Sequence, residues 1–296
     1  MKQAMARLRE ARVPSHTLAA ELLLMHVLGR DRAWLYAHPE EAIAAPDAEE
    51  YFALLEQRMA GVPTQYLTGR QEFWGLQFEV GPGVLIPRPE TEHVIEVALA
   101  RLGPPDANDP RPRGTGLRIA DVGAGSGCIA IALASELPGA HIFATDTSAA
   151  ALAYAHRNAA HHGVASRVHL ICCDSLTCFF AESRVPSPES LPFDLIVSNP
   201  PYIGRREAET LPKEVRAHEP HEALFAGEQG DEFYAPLADQ ARNLLRSGGL
   251  FVVELGYNAL ARVQPLLDAP GDWARVEVTH DLAGIPRVLA ATRQRN

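Results

Sequence analysis

The sequence predicts an α/β protein: a doubly wound, mainly parallel, seven-stranded Rossmann-like sheet, preceded by a small all-α N-terminal domain and a connecting β-hairpin. Three observations predict it. Residues 1–75 carry apolar side chains mostly at helical spacing. Residues 76–116 hold hairpin-like sequence and a Pro/Gly-rich linker. Residues 117–296 alternate short apolar runs with helical segments, the pattern of parallel strands joined by crossover helices. With 296 residues, 47% hydrophobic and 22% charged, the chain has room for one large domain and one small one.

In the N-terminal domain, Leu18, Leu22, Met25 and Gly29 recur at helical spacing and end in a glycine suited to a C-cap. Asp47 and Glu50 form a capping-box pattern. Tyr51, Leu54, Leu55, Arg58 and Met59 then follow along one side as far as Gly61. From Gln65 to Val84, aromatic and β-branched residues punctuated by Gly69, Gly75, Gly81 and Gly83 predict a hairpin. In Pro87-Arg88-Pro89-Glu90-Thr91-Glu92 the prolines stiffen the backbone, and Glu90 or Thr91 can cap a helix running through Val94 and Val97. Gly103 to Gly116 reads as a linker.

Beyond it, strands are expected at 117–122, 141–146, 168–172, 193–198, 250–255, 274–279 and 287–291. Helices are expected at 127–137 and 149–161 and around 239–245. In such sheets ligands bind beyond the carboxyl ends of the strands.

Composition narrows the partners. The net charge of −10 argues against direct nucleic-acid binding, which usually needs a basic patch. Leu18 to Leu28, the most apolar early stretch, contains Glu21 and His26 and is too short to span a bilayer. No membrane partner is expected, and with no secretory signal in the first residues a cytoplasmic location is expected. Cys128, Cys172, Cys173 and Cys178 have neither metal nor disulfide spacing. His218 and His221 are separated by Pro220, which breaks the helix that would align two imidazoles, so no metal site is expected.

The chemistry concentrates after three strands. Asp121-Val-Gly123-Ala124-Gly125-Ser126-Gly127 turns from strand to helix, and glycines there let backbone approach a ligand. A nicotinamide fingerprint would need glycine where Cys128 stands. The Gly123, Gly125, Gly127 spacing instead resembles the first motif of S-adenosylmethionine-dependent methyltransferases. Asp146 ends the second strand and suits two ribose hydroxyls; the competing reading is an N-cap for the helix near Ser148. Asp174 is placed to meet an adenine amino group or to close a turn.

Ser198-Asn199-Pro200-Pro201-Tyr202 follows an apolar strand. The two prolines remove N–H donors, so the Asn199 side-chain oxygen and the Pro200 carbonyl can accept the two hydrogens of a substrate –NH2 group, and Tyr202 can stack on a flat substrate. By itself the motif leaves adenine, guanine and glutamine open.

Pro63-Thr-Gln-Tyr-Leu-Thr-Gly69, Phe73-Trp-Gly75, Val84 to Glu92, Glu219-Pro-His-Glu-Ala-Leu224, and Asp281 to Gly284 with Arg287-Val288 closely resemble the HemK/PrmC family of peptide-chain-release-factor glutamine methyltransferases. The likeness spans nearly the whole chain. It implies methylation of the glutamine in the Gly-Gly-Gln loop of release factors, with S-adenosyl-L-methionine as cofactor. It also implies that Gly123 to Gly127, Asp146, Asp174, Ser175 and Asn199 hold that cofactor, and that Asn199, Pro200, Pro201 and Tyr202 hold the glutamine. The family often has an aromatic residue where this chain has Ser175, and Leu176 and Phe179 are the nearest candidates to replace it. Arg88, Glu90 and Glu92 suit either a substrate entrance or an interdomain salt bridge. Arg184 to Pro192 reads as a loop insertion.

Overall fold

The computed structural model describes residues 1–103, 113–180, 192–268 and 271–294. Most of the Gly103–Gly116 linker and of the Arg184–Pro192 insertion lies outside them. Five helices come first: α1 (Lys2–Glu10), α2 (His16–Leu28), α3 (Arg32–Ala37), α4 (Ala45–Ala60) and α5 (Thr64–Thr68). They share a core that includes Leu8, Leu23, Tyr51 and Leu55, where the Tyr51 hydroxyl donates to the Ala20 carbonyl at 2.9 Å.

α2 ends at Gly29 in the left-handed region as expected (φ 61°), but its inward face differs. Ala19, Ala20, Leu23 and Leu24 are buried while Leu18 is 47% exposed. The helix is apolar nearly all round, so its pattern cannot orient it. Glu21 is buried with them, held by Arg32 at 2.9 Å and by the Tyr36 hydroxyl. α4 also departs from expectation: it starts at Ala45, two residues before Asp47, with Pro46 in its first turn and no side-chain cap. Asp47 therefore favours the helix dipole from within the first turn and makes no capping box.

The hairpin is shorter than expected, because α5 occupies its first residues. β1 (Arg70–Phe73) and β2 (Leu76–Glu79) pair antiparallel around Trp74 and Gly75. It thus begins before residue 76. Both turn residues have positive φ, 56° and 69°, as a two-residue primed turn requires. Such a conformation is strained for tryptophan. It is held from both ends: Trp74 N–H donates to Glu92 Oε1 and its indole N–H to Glu136 Oε1, each at 2.9 Å. Glu92 is thus a hairpin anchor. Arg88, by contrast, pairs with Glu219.

After α6 (Glu92–Leu102) come β3 (Arg118–Val122), α7 (Cys128–Glu136), β4 (His141–Asp146), α8 (Ala149–His161), β5 (Val168–Cys172) and β6 (Phe193–Ser198). Short helices α9 (Lys213–His218) and α10 (His221–Leu224) follow, then α11 (Tyr234–Leu244), β7 (Leu245–Glu254), α12 (Leu260–Leu267), β8 (Trp273–His280) and β9 (Pro286–Arg293). The seven-stranded sheet has the order β5-β4-β3-β6-β7-β9-β8. β9 runs antiparallel to its neighbours β7 and β8, and the remaining pairs are parallel. Alternate residues of β7 face opposite layers. Leu250 and Val252 join the core with α6 and α7, while Phe251 and Val253 join the core with α11 and α12. α7 is buried on every side from Cys128 to Ala134, which explains its lack of charge before Glu136.

One buried charge ties the helical unit to the sheet domain. The Arg58 side chain, 5% exposed, pairs with Glu214 of α9 and donates to the Val62 carbonyl at 3.2 Å. Arg58→Ala leaves Glu214 without its cation and a void beside Val62. The expected loss is about 1–3 kcal/mol of unfolding free energy, read from urea titration of the Trp fluorescence. An unchanged midpoint would mean the pair adds nothing.

Candidate active site at the sheet switch point

The strand order reverses between β3 and β6, and the chain leaves these neighbours toward opposite faces of the sheet. A crevice must open there. Val122 pairs with Ser198 at the carboxyl ends of the two strands, and the Ser198 hydroxyl donates to the Val122 carbonyl at 2.7 Å. The next residues, Gly123 and Asn199, therefore emerge side by side.

The cleft at this point measures about 1060 Å³, counting the part open to solvent, the scale of a small-molecule site. Gly123, Ala124, Gly125 and Ser126 line it from β3, Asp146 from β4, Asp174 and Ser175 from beyond β5, and Asn199, Pro200 and Pro201 from β6. Gly127 and Tyr202 do not line it. Gly127 has φ 81°, and a Cβ there would lie 3.0 Å from Ile131 and 3.1 Å from Ala155. This glycine allows α7 to pack on α8, a different need from close approach to a ligand.

Asp146 organises the turn. Its Oδ2 accepts from Gly125 N–H and its Oδ1 from Ser148 N–H, both at 2.8 Å. The cap of α8 is Ser148, whose hydroxyl accepts from Ala151 N–H. The competing N-cap reading of Asp146 therefore falls away. Each of its oxygens keeps lone-pair capacity toward the cleft.

Asn199 is held differently. Its amide nitrogen donates to Thr91 Oγ1 at 2.9 Å, which leaves the amide oxygen as a free acceptor. Thr91 is the residue a capping rule would assign to α6, yet its side chain makes no cap bond. A second cavity adjoins the first through Leu85, Arg88, Asn199, Pro200 and Ala223, and extends to Tyr202, Ile203 and Leu211. The Tyr202 hydroxyl donates to Glu254 Oε1 at 3.1 Å, and burial raises its pKa.

Neither Leu176 nor Phe179 replaces the missing aromatic at Ser175. Leu176 is fully buried, and Phe179 packs edge-on to Phe143 and Phe193. The aromatic at the cleft is Phe233, 38% exposed, with Leu237 beside it. Phe233, Thr91 and Glu254 escaped the sequence reading, although Thr91 lies in the Pro/Glu/Thr run before α6.

Residues 1–69 match the PrmC N-terminal domain and residues 111–217 the methyltransferase small domain. A release factor glutamine methyltransferase of Chlorobaculum tepidum is 43% identical over 99% of this chain and 96% of its own length. Another, of Koribacter versatilis, is 40% identical over 98% and 96%. The chain belongs to the release factor glutamine methyltransferase family. Among solved structures, a human methyltransferase 10 domain containing protein (TM-score 0.51, 19% identity, 75% of this chain and 89% of that one) shares the fold. So does a T. thermophilus 16S rRNA methyltransferase in complex with AdoMet and guanosine (0.51, 20%, 76% and 50%).

In this member of the glutamine methyltransferase family two titratable groups are buried, Cys128 in the cleft wall and Asp121 behind it. Burial pushes the Cys128 thiol up to about 12, so it is a neutral packing group. Asp121 accepts from Ala130 N–H at 3.0 Å through Oδ2, while Oδ1 has no partner. Burial, reinforced by the Asp146 charge, pushes its carboxyl from 3.8 up to about 7. The folded state then binds the proton more tightly than the unfolded one, so stability falls as pH rises from about 4 through 7. Asp121→Asn should therefore gain stability relative to the parent above pH 7 and show no relative gain near pH 4, measured as melting temperature against pH. A difference that does not vary with pH would mean that Asp121 stays ionised.

Proposed function

We propose that this chain transfers a methyl group from S-adenosyl-L-methionine to the side-chain amide nitrogen of the glutamine in the Gly-Gly-Gln motif of peptide chain release factors. The observation that carries this reading is the orientation of Asn199: with its nitrogen tied to Thr91, its oxygen is offered as an acceptor where the two cavities meet. Family membership selects the glutamine amide from the flat –NH2 groups such an acceptor can receive.

The cleft suits the cofactor on its own chemistry. Gly125 (φ 55°) supplies a turn that a side chain would strain, Asp146 retains acceptor capacity for ribose hydroxyls, and Ser126 Oγ is buried without a hydrogen-bond partner. On this reading Gly123, Ala124, Gly125 and Ser126 form the turn around the methionine part, Gly127 seats that turn on α8, and Asp146 takes the ribose. Asp174 and Ser175 face the adenine. When bound, S-adenosyl-L-methionine supplies an electrophilic methyl on a sulfonium.

The protein's task is orientation, since an amide nitrogen is a poor nucleophile with a delocalised lone pair. The glutamine enters through the second cavity, where Tyr202 flanks it, and meets Pro201 in the first. Asn199 Oδ1 and the Pro200 carbonyl receive its two N–H bonds and aim the nitrogen at the methyl. With S-adenosyl-L-methionine bound, these two acceptors would hold the amide nitrogen for methyl transfer, and the proton it sheds would pass to water. Residues 1–75 act as the docking unit for the release factor, 76–116 as hairpin and linker, and 117–296 as the transfer domain, working in the cytoplasm.

Asn199→Ala is expected to cut turnover about a hundredfold or more, as for loss of a preorganised hydrogen-bonding group, while cofactor affinity changes little. Asp146→Ala should instead weaken cofactor binding at least about tenfold, measured by titration calorimetry with S-adenosylhomocysteine. Both are assayed with labelled cofactor and purified release factors. Label appearing only in ribosomal proteins, or in RNA, would overturn the assignment.

A further inference from the structure

Glu254 is a buried polar group beside the switch point that the transfer reading leaves unused. It ends β7, is 1% exposed, and its backbone is fixed twice. It pairs with Val288 of β9, and its carbonyl accepts the Tyr234 hydroxyl at 3.0 Å. That hydroxyl in turn accepts Gly256 N–H at 3.2 Å. The carboxyl group therefore has a rigid base. Its Oε1 accepts the Tyr202 hydroxyl.

Thr91 holds the Asn199 amide nitrogen and its hydroxyl favours the ionised form of Glu254, whose Oε2 is buried without a hydrogen-bond partner. Tyr202 has little freedom elsewhere, since a Cβ on Gly256 would lie 3.1 Å from its ring. A carboxylate is an expensive way to fill a protein core. A leucine would fill the same space without desolvation cost, but it would leave the Tyr202 hydroxyl without an acceptor.

We propose that Glu254 is a positioning residue for methyl transfer, holding the Tyr202 ring and, together with Thr91, the Asn199 amide in the orientation that receives the substrate nitrogen. It does not touch the reacting atoms. This rests on the transfer reading and adds that the two ends of the Asn199–Tyr202 motif share one buried support. Burial pushes the Glu254 carboxyl up to about 7, so the neutral form is accessible and an amide of the same shape should serve nearly as well.

The test compares Glu254→Leu, Glu254→Gln and Tyr202→Phe in the full chain. Glu254→Leu is expected to fold, to bind S-adenosylhomocysteine within about twofold of the parent, and to lose about tenfold or more in kcat, because misplacing a positioned group costs rate rather than binding. Glu254→Gln should stay within about threefold in kcat, since it keeps the acceptor. In the Tyr202→Phe background, Glu254→Leu should cost less than about threefold more, because the two residues act as one unit.

A second measurement does not need turnover: 3-fluorotyrosine installed at position 202 and followed by fluorine NMR. One sharp resonance is expected in the parent and in Glu254→Gln, and a broadened or shifted one in Glu254→Leu. Parent-like kcat in Glu254→Leu, equal losses in the leucine and glutamine variants, or an unmoved resonance in Glu254→Leu would each overturn the proposal. If the unsubstituted chain fails to label release factors, the transfer reading fails instead, and the resonance alone decides the role of Glu254.

Discussion

β3 and β6 are neighbours in the sheet but not in sequence, and the parallel register that sets Val122 against Ser198 determines what stands at its carboxyl edge. Gly123 and Asn199 follow those residues, and a Cβ on Gly123 would come within 3.8 Å of the Asn199 carbonyl oxygen. A shift of one residue in that register would turn Asn199 away from the glycine turn. The remaining architecture protects this register. Cores pack on both faces of the sheet, and Asp146 clamps the turn from the adjacent strand. The Ser198–Val122 bond closes the strand ends.

Elements outside the sheet serve the same edge. The stretch before α6 brings Arg88 and Thr91 to the crevice. Its position depends on the Arg88–Glu219 pair, on Glu219 Oε2 accepting Ile86 N–H at 3.1 Å, and on the Tyr66 hydroxyl donating to the Val84 carbonyl at 2.6 Å. Glu219 belongs to the segment between α9 and α10, so one buried carboxylate joins the walls of the two cavities. Arg88 lines both cavities while paired with Glu219. Arg88 thus pairs with the sheet domain, and not with residues 1–75.

The sheet was legible because buried parallel strands are continuous apolar runs with sharp punctuation. The expected 141–146, 168–172 and 193–198 coincide with β4, β5 and β6, and 149–161 with α8. Orientation was not legible where the signal is uniform: α2 is apolar on every side, so Leu18 and Ala19 compete for the interior on equal terms. Local capping rules misread Asp47 because α4 begins two residues earlier, at Ala45, and Thr91 because its hydroxyl accepts from Asn199 in place of a cap worth about 1 kcal/mol. At the site, the glycines, Asp146 and Asn199 are contiguous with strand ends and were visible. Thr91, Phe233 and Glu254 reach it from other elements, and only the assembled sheet brings them there.

The electrostatics of the crevice connect composition to function. Asp146 contributes a carboxylate at its surface, and Asp121 and Glu254 lie buried at the ends of β3 and β7, where burial pushes both carboxyls up to about 7. Among them the field is negative without three fully charged groups repelling one another at close range. Such a field favours a cationic sulfonium and disfavours a polyphosphate backbone. A methyl acceptor presented by a protein loop avoids the repulsion that the same acceptor would meet as a base within a nucleic acid. Family membership makes the choice among the flat amino groups that the Asn199–Tyr202 motif leaves open.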